Sequence, residues 1–175
     1  DYDKGTLHKN LCRFIINYAS QSNIPVFVDP KGTKWNKYHG AECLTPNMNE
    51  FRKMTIDENI PVSDQALQKM AIDIITDYAL SHILITRGKE GISFVRHQEY
   101  IYNHTDAQEV FDVSGAGDTV IAAFALCSVK RLSFGDCIKI ANLAAKAVIK
   151  RSGTYAITIK ELESEIEAYN KGFKE

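Results

Sequence analysis

The sequence lacks a long hydrophobic run and an excess of charge of either sign. Its longest unbroken apolar run, residues 120–127, is eight residues long, far short of the roughly 20 that a membrane-spanning helix needs. Lys and Arg total 21 and Asp and Glu total 22, for a formal net charge of −1. This balance disfavours a general nucleic-acid binder and a polybasic membrane-surface protein.

Cysteine is scarce and irregularly spaced. The four cysteines, at positions 12, 43, 127 and 137, form no Cys-x-x-Cys pair. A disulfide framework is therefore not indicated, and we interpret them as reduced, partly buried thiols. The sequence also shows no Lys- or Arg-led apolar leader. We therefore expect a cytoplasmic protein that binds neither nucleic acid nor a membrane.

The 175 residues suit a single domain, because domains usually run to roughly 100–200 residues. Apolar residues make up 45% of the chain and charged residues 25%, which is ordinary usage for a globular protein with its own core. The first residue is Asp1 and no strand pattern precedes the first helix pattern. We expect a portion of a longer fold whose N-terminal part is missing.

Strand-like and helix-like segments alternate along the chain. Short apolar runs at 25–28, 41–45 and 82–86 predict buried strands, and residues 92–95 and 100–103 predict a more exposed hairpin. Helical periodicity and capping residues predict helices at residues 7–18, 47–54, 63–78, 117–130, 134–150 and 158–169. This alternation predicts an α/β fold with a mainly parallel sheet covered by helices.

Polar clusters follow the predicted strands at residues 29–32, 45–50 and 86–88. In open α/β sheets, ligands bind at the carboxyl ends of the strands. These clusters therefore indicate a ligand site.

The glycine-rich segment at residues 112–119 has the strongest chemical character. Gly115, Ala116 and Gly117 precede a predicted helix, where converging N–H groups and the helix dipole would favour a phosphate. Asp118 falls in the first turn, where a carboxylate can accept a proton from an attacking hydroxyl. The alternative is a plain glycine turn with an Asp that complements the dipole.

Two other nucleotide-binding patterns do not fit. A dinucleotide fingerprint that begins at Gly115 would need Gly or Ala where Val120 stands, and no strong apolar strand precedes it. Asp136 also opens a helix, where the ribose-binding acid of that motif should end a strand. No Walker-type GxxxxGK[ST] sequence is present.

Residues 112–119 resemble the C-terminal signature of the ribokinase-like, or phosphofructokinase B, carbohydrate kinases. Upstream, residues 45–50 resemble the NxxE motif of that family and residues 86–91 resemble its nucleotide loop. Within the family, further segments resemble the heptose-7-phosphate kinases: residues 1–5, 29–32, 38–41 and 44–47. The resemblance covers nearly the whole chain.

The resemblance implies a three-layer α/β/α ribokinase-like fold, of which residues 1–175 would be the C-terminal nucleotide-binding portion. It implies an ATP-dependent sugar kinase that phosphorylates the anomeric hydroxyl of D-glycero-D-manno-heptose 7-phosphate, in ADP-heptose and lipopolysaccharide biosynthesis. Another carbohydrate or vitamin kinase of the family is an alternative. A further alternative is a nucleotide-binding module without turnover, because nothing here matches the sugar-binding half of these kinases.

The resemblance also implies roles for individual residues. Asp118 would be the catalytic base, and Gly115, Ala116 and Gly117 would form the anion hole for the migrating phosphoryl group. Asn142 would line the adenine pocket, although an Asn inside a helix is more often solvated.

Asn47 and Glu50 would hold Mg²⁺ through water, and the alternative for this pair is a helix cap. Thr86, Gly88 and Gly91 belong to the segment that would contact the nucleotide, although a plain hairpin turn would explain them as well.

The resemblance implies two further contacts. Lys31 would meet a phosphate, although a loop lysine usually faces solvent. Asp112 and the loop at residues 151–154 would frame a monovalent-cation site. The implied ligands are ATP, Mg²⁺ and a sugar phosphate. We expect a homo-oligomer, and we expect the 175 residues by themselves to lack turnover.

Overall fold

The computed structural model describes residues 1–54, 63–105 and 112–172. They form two compact units. The N-terminal unit comprises Asp1–Gly88 and Ile92–Tyr102, and the C-terminal unit comprises Lys89–Gly91 and Asn103–Glu175. Among the described helices, none is long and apolar enough to cross a bilayer. A single domain over all 175 residues stays a prediction.

The N-terminal unit contains three helices and the sheet. The helices are α1 (Lys9–Gln21), α2 (Met48–Met54) and α3 (Asp64–Asp77). The strands are β1 (Phe27–Val28), β2 (Cys43–Leu44), β3 (His82–Thr86), β4 (Ile92–Arg96) and β5 (Glu99–Asn103). A single 3₁₀ turn, Trp35–Tyr38, lies between β1 and β2 in the chain.

The sheet runs in the order β1-β2-β3-β4-β5 and is mixed. It is parallel from β1 to β3, where Leu44 pairs with both Val28 and Ile83, and antiparallel between β3 and β4, where Leu84 pairs with Phe94. The α/β prediction is confirmed. The prediction of a more exposed hairpin is wrong for β4, whose residues 92–95 are all buried, since β4 lies inside the sheet and α3 packs against it.

The core of the N-terminal unit lies where α2 and α3 cover the sheet. Ile83 and Ile85 of β3 are fully buried together with Leu67 of α3 and Phe51 of α2. Each such side chain contributes about 1.5–3 kcal/mol through the removal of its apolar surface from water. Helix α3 begins where predicted, since the hydroxyl of Ser63 accepts a hydrogen bond from the N–H of Ala66.

The C-terminal unit contains three helices: α4 (Ala116–Val129), α5 (Phe134–Val148) and α6 (Ile159–Gly172). Helix α5 packs against both α4 and α6, and the rings of Phe124 and Phe134 stack with centroids 6.3 Å apart. The predicted capping box of α6 is present, because Glu161 accepts from the N–H of Thr158 at 2.9 Å. All four cysteines are buried free thiols, as expected.

Candidate functional site

Asn47 and Glu50 close the start of α2 reciprocally. The Asn47 side-chain oxygen accepts from the N–H of Glu50 at 2.9 Å, and Oε2 of Glu50 accepts from the N–H of Asn47 at 2.9 Å. This is the capping-box arrangement, which satisfies two N–H groups that lack partners within the helix. The cap that was the alternative to metal binding is therefore present. The metal role of these two residues stays a prediction.

Lys31 joins this cluster from the loop after β1. Its ammonium donates to Oε1 of Glu50 at 2.6 Å and lies 3.5 Å from Oδ1 of Asp29. Burial by itself would lower the pKa of Lys31, but the hydrogen bond to Glu50 and the charges of both acids outweigh it and raise the pKa. Burial raises the pKa of Asp29, although the nearby Lys31 opposes it. Lys31 therefore pairs chiefly with Glu50.

Oxygen donors of the kind that Mg²⁺ prefers are present in this cluster: the Asn47 amide and the Glu50 and Asp29 carboxylates. Both Glu50 oxygens already accept hydrogen bonds, from Lys31 and from the backbone of Asn47. Within residues 1–54, 63–105 and 112–172, no group of three or more His, Cys, Asp or Glu side chains is arranged to hold a metal. A Mg²⁺ ion held by these residues would therefore bind through its water ligands, which leaves the cap intact.

The start of α4 is built differently. Gly115 occupies the N-cap position with φ of 78° and supplies no side-chain cap, and this left-handed conformation favours glycine. The hydroxyl of Thr119 donates back to the Gly115 carbonyl at 2.8 Å. The N–H of Gly117 donates to no group in the described part of the chain. No atom lies within 4 Å of where a Gly117 Cβ would stand. Space and an available donor therefore coincide at this helix start.

The other helices that the structure describes all begin with a side-chain cap. The caps belong to His8, Asn47, Ser63, Ser133 and Thr158. A helix start carries about half a positive charge and N–H groups without helical partners. At α4 no side chain in the described residues caps the N-terminal N–H groups, so a ligand anion can accept from them.

Asp112 orders the loop in front of α4. Its carboxylate accepts from the N–H of Ser114 and from the N–H of Gly153, each at 2.9 Å. The hydrogen bonds from Ser114, followed by the one from Gly153, hold the pKa of Asp112 below its ordinary value. The structure thus joins Asp112 to the loop at residues 151–154, as the predicted monovalent-cation site requires. A cation there stays a prediction.

Asp118 lies beside a largely apolar groove of about 480 Å³ in the C-terminal unit. Gly115, Asp118 and Tyr155 are among its lining residues, and Asp118 is the charged one among those described. The side chain of Asp118 is exposed in the first turn of α4. The carboxylate and the open helix start therefore face the same accessible space, as the predicted base and anion hole require.

The predicted nucleotide loop begins at the end of β3. Thr86 donates its N–H to the Pro46 carbonyl at 3.0 Å and bridges to Asn47, so this loop adjoins the start of α2. Gly88 has φ of 60° and no atom near its missing Cβ. In the C-terminal unit, a Cβ on Gly91 would lie 2.1 Å from the Asn103 carbonyl oxygen. Gly91 thus has a packing reason to be glycine, and its nucleotide contact stays a prediction.

Asn142 is buried in α5, not solvated. Its amide donates to Oδ1 of Asn103 at 2.7 Å and to the His104 carbonyl at 3.2 Å. It lines a small hollow together with Lys139 and Tyr169. An adenine contact for Asn142 stays a prediction.

Arg87 is a residue that the sequence patterns did not single out. Its guanidinium donates to Oδ1 of Asp64 at 2.7 Å and to the Ser93 hydroxyl at 3.2 Å, and lies 4.8 Å from the Tyr102 ring centroid. It stands between Thr86 and Gly88 and ties this loop to α3 and to the hairpin. Its position inside the loop motif was the one feature that could have indicated a role for Arg87. Its partners could not be predicted, because most of them are distant in sequence.

The fold class is ribokinase-like. Over 93% of this chain and 52% of the other, the structure superposes with phosphofructokinase-2 from Escherichia coli in complex with potassium at a TM-score of 0.78 and 19% identity. For Arabidopsis thaliana ribokinase complexed with ribose and ATP, the TM-score is 0.75 at 21% identity, over 91% of this chain and 52% of that one.

The chain belongs to the pfkB family of carbohydrate kinases, whose family model matches residues 4–161. It is 42% identical over 168 residues to the bifunctional protein HldE of Methylobacillus flagellatus, an alignment that covers 96% of this chain and 34% of that protein. The chain thus spans about a third of the length of the curated relatives it matches.

Proposed function

We propose that this chain is the nucleotide-binding portion of an ATP-dependent sugar kinase. The observation that carries the proposal is the start of α4, where the N-cap Gly115 of an uncapped helix and Asp118 line one accessible groove. Beside them, no atom lies within 4 Å of the Cβ position of Gly117. Phosphoryl transfer needs a base beside a site that stabilises negative charge. Membership of the pfkB family supports the same reaction class.

In the reaction, Asp118 accepts the proton of the attacking sugar hydroxyl. The hydroxyl oxygen forms a bond to the γ-phosphorus of ATP, and the bond from that phosphorus to the β,γ-bridging oxygen breaks. ADP leaves with the electron pair of the broken bond. The exposed position of Asp118 in the first turn of α4 leaves its carboxylate accessible to the substrate.

The N–H of Gly117 and the dipole of α4 stabilise the charge on the migrating phosphoryl group. A helix start supplies about half a positive charge, and no side-chain cap in the described residues competes for it at α4. The left-handed Gly115 turns the backbone into the helix without a Cβ in the way.

Within the N-terminal unit, Asn47 and Glu50 would hold Mg²⁺ through water, and Thr86 and Gly88 would contact the nucleotide phosphates. When bound, Mg²⁺ neutralises charge on the phosphate oxygens. The ammonium of Lys31 is held beside Glu50 and Asp29, where its positive charge offsets theirs.

The specific acceptor we propose is D-glycero-D-manno-heptose 7-phosphate, phosphorylated at its anomeric hydroxyl on the way to ADP-heptose and lipopolysaccharide. The motifs at residues 1–5, 29–32, 38–41 and 44–47 support this choice over other pfkB sugar kinases. The similarity to proteins named HldE is consistent with it.

Three further properties complete the proposal: a cytoplasmic location, a homo-oligomeric state and a monovalent cation beside Asp112 and Gly153. Exposed apolar side chains on α1, Phe14 and Tyr18 among them, support self-association, which light scattering would measure. The E. coli phosphofructokinase-2 structure contains potassium, and a potassium titration of ADP affinity would test the cation site.

A coupled assay of ADP release tests the proposed reaction. The 175-residue chain and any longer polypeptide that contains it are incubated with ATP, Mg²⁺ and a panel of free and phosphorylated sugars. We expect turnover with heptose 7-phosphate in the longer polypeptide. For the 175 residues we expect ADP binding in calorimetry without turnover, because the reaction needs both substrates held in line. Absence of ADP binding to both proteins would refute the proposal.

A further inference from the structure

A groove of about 530 Å³ in the N-terminal unit carries an unusual concentration of lysine. We call it the lysine groove, and its basic lining residues are His8, Lys9, Lys31, Lys34, Lys37 and Lys53. The whole chain has a formal net charge of −1, so this concentration is local. A volume of this size is typical of a small-molecule site.

Two of the lysines are already neutralised. Lys37 donates to Oδ2 of Asp1 at 2.5 Å, and Lys31 donates to Oε1 of Glu50 at 2.6 Å. Among the residues that line the groove, Asp3 is the acidic one, and its Oδ1 lies 4.0 Å from the Lys37 ammonium.

The other three lysines lack such partners. Lys9, Lys34 and Lys53 are exposed and form no ion pair with any residue that the structure describes. They come from different parts of the chain: the start of α1, the loop after β1 and the end of α2. Tertiary folding therefore gathers around one groove three ammonium groups that form no ion pair within the described residues.

Lys31 connects the lysine groove to the start of α2. The same side chain that lines the groove donates to Glu50 of the Asn47–Glu50 cap. A ligand in the groove would therefore lie next to the cluster to which we assign the nucleotide's metal ion. The groove is nevertheless lined by residues outside the predicted nucleotide loop.

We propose that the lysine groove binds the phosphate monoester of a phosphorylated sugar, the phosphate that is not transferred. A phosphate monoester carries nearly two negative charges at neutral pH, which Lys9, Lys34 and Lys53 offset. Lysine binds phosphate as a point charge, without a fixed geometry. This inference rests on the proposed sugar-kinase function and assigns the charge recognition of its acceptor to named residues.

Calorimetry with a hexose phosphate, the free hexose, inorganic phosphate and ADP tests the proposal on the 175-residue chain. We expect the hexose phosphate and inorganic phosphate to bind and to compete with each other. The free hexose should bind more weakly, and ADP should not displace the hexose phosphate.

The double substitution Lys34→Gln and Lys53→Gln should weaken hexose phosphate binding by about tenfold, the combined effect of two lost exposed ion pairs. ADP affinity should stay unchanged.

The matched control is Lys69→Gln with Lys160→Gln, which removes the same charge from two exposed positions outside the groove. Equal weakening by the control, equal binding of hexose and hexose phosphate, or displacement by ADP would overturn the proposal. If the unsubstituted chain binds ADP but not hexose phosphate, the lysine-groove proposal is overturned and the kinase proposal still stands. If the unsubstituted chain does not bind ADP but the Lys34→Gln and Lys53→Gln variant still binds hexose phosphate more weakly than it does, only the kinase proposal is refuted. Circular dichroism on each variant checks that it folds.

Discussion

Helices α2 and α4 begin in opposite ways. At α2, side chains accept hydrogen bonds from the backbone: Asn47 and Glu50 cap each other's N–H groups. At α4, Gly115 provides no side chain, and the N–H of Gly117 has no acceptor in the described residues. The first start is complete without a ligand, whereas the second leaves its partial positive charge for one.

This contrast distinguishes a helix start that is stabilised by its own side chains from one that can bind an anion, although the sequence motifs suggest ligand binding at both. Gly117 lowers the stability of α4, since glycine is about 1 kcal/mol less favourable than alanine inside a helix. Its missing side chain leaves room for an anion at the helix start. At α2 the same residues that would hold a metal ion also stabilise the helix, so their loss has two effects that an experiment must separate.

The largest effect is expected for Asp118→Asn. If α4 is the open catalytic start, the loss of its base should lower kcat by about 10²–10⁴-fold, with ADP affinity retained. Steady-state kinetics on the longest polypeptide that turns over would measure this.

The matched control for that variant is Asp136→Asn. Asp136 also lies in the first turn of a helix, α5, but that start is capped by Ser133. We expect near-normal kcat for the control. Near-normal turnover of Asp118→Asn would show that the open start is structural and that the base lies elsewhere.

The two glycines of α4 should respond in opposite directions to alanine. Gly115→Ala forces a Cβ into a left-handed conformation with φ of 78°, at a cost of about 1–2 kcal/mol in unfolding free energy. Gly117→Ala has open space around it and should stabilise the helix by up to about 1 kcal/mol.

Activity should reveal what that open space is for. If it receives a phosphoryl group, Gly117→Ala should lower kcat/KM by at least about tenfold, because displacement of the reacting group is costly, while the melting temperature rises. Unchanged kinetics in a stabilised Gly117→Ala protein would mean that no ligand uses this space.

A smaller effect on activity is expected for Glu50→Gln at the capped start of α2. Glutamine can still accept from the Asn47 N–H, so the capping box is retained, but the carboxylate charge is lost. The Mg²⁺ concentration for half-maximal rate should rise several-fold, and stability should fall by less than about 1 kcal/mol because the Lys31 pair is lost. An unchanged Mg²⁺ titration would reduce the role of Glu50 to capping.

The smallest effect concerns the start of α3, which is closed by Ser63 and by the Asp64–Arg87 pair. The hydrogen bond from Arg87 lowers the pKa of Asp64 below its ordinary 3.8. The stabilisation is therefore fully present above about pH 4 and is lost as the pH falls through the lowered pKa. Because the Asp64 side chain is 49% exposed, we expect only a few tenths of a kcal/mol.

Urea unfolding at a series of acidic pH values would measure this contribution in the parent chain and in Asp64→Asn. The variant should be slightly less stable at neutral pH and should lose less stability on acidification. Identical pH profiles would show that the Asp64–Arg87 pair contributes nothing to stability.

Local patterns predicted most of the elements. The Ser63 cap, the run at 82–86 and the box at 158–161 each lie within a few residues of the element that they define. The structure has those elements within one residue of the expected bounds, except that the last helix extends three residues further. The glycine segment likewise predicted the helix that starts at Ala116. Such features depend on capping and periodicity, which act over one or two turns.

The site was only partly predictable. The motifs pointed to Asn47, Glu50 and Asp118, but nothing local indicated that Lys31 would bond Glu50, 19 residues away. The partners of Arg87 were equally hidden, since Asp64 lies 23 residues before it.

The sequence by itself determined the alternation of strands and helices, the caps and the family motifs, because each depends on neighbours along the chain. Tertiary structure decided the burial of β4 between two strands, the burial of Asn142 against Asn103, 39 residues away, and the gathering of lysines around one groove. Those outcomes depend on contacts between distant segments. The residue type by itself does not determine such contacts. An amide or ammonium group is well solvated by water, and it needs a protein partner only where packing removes that water.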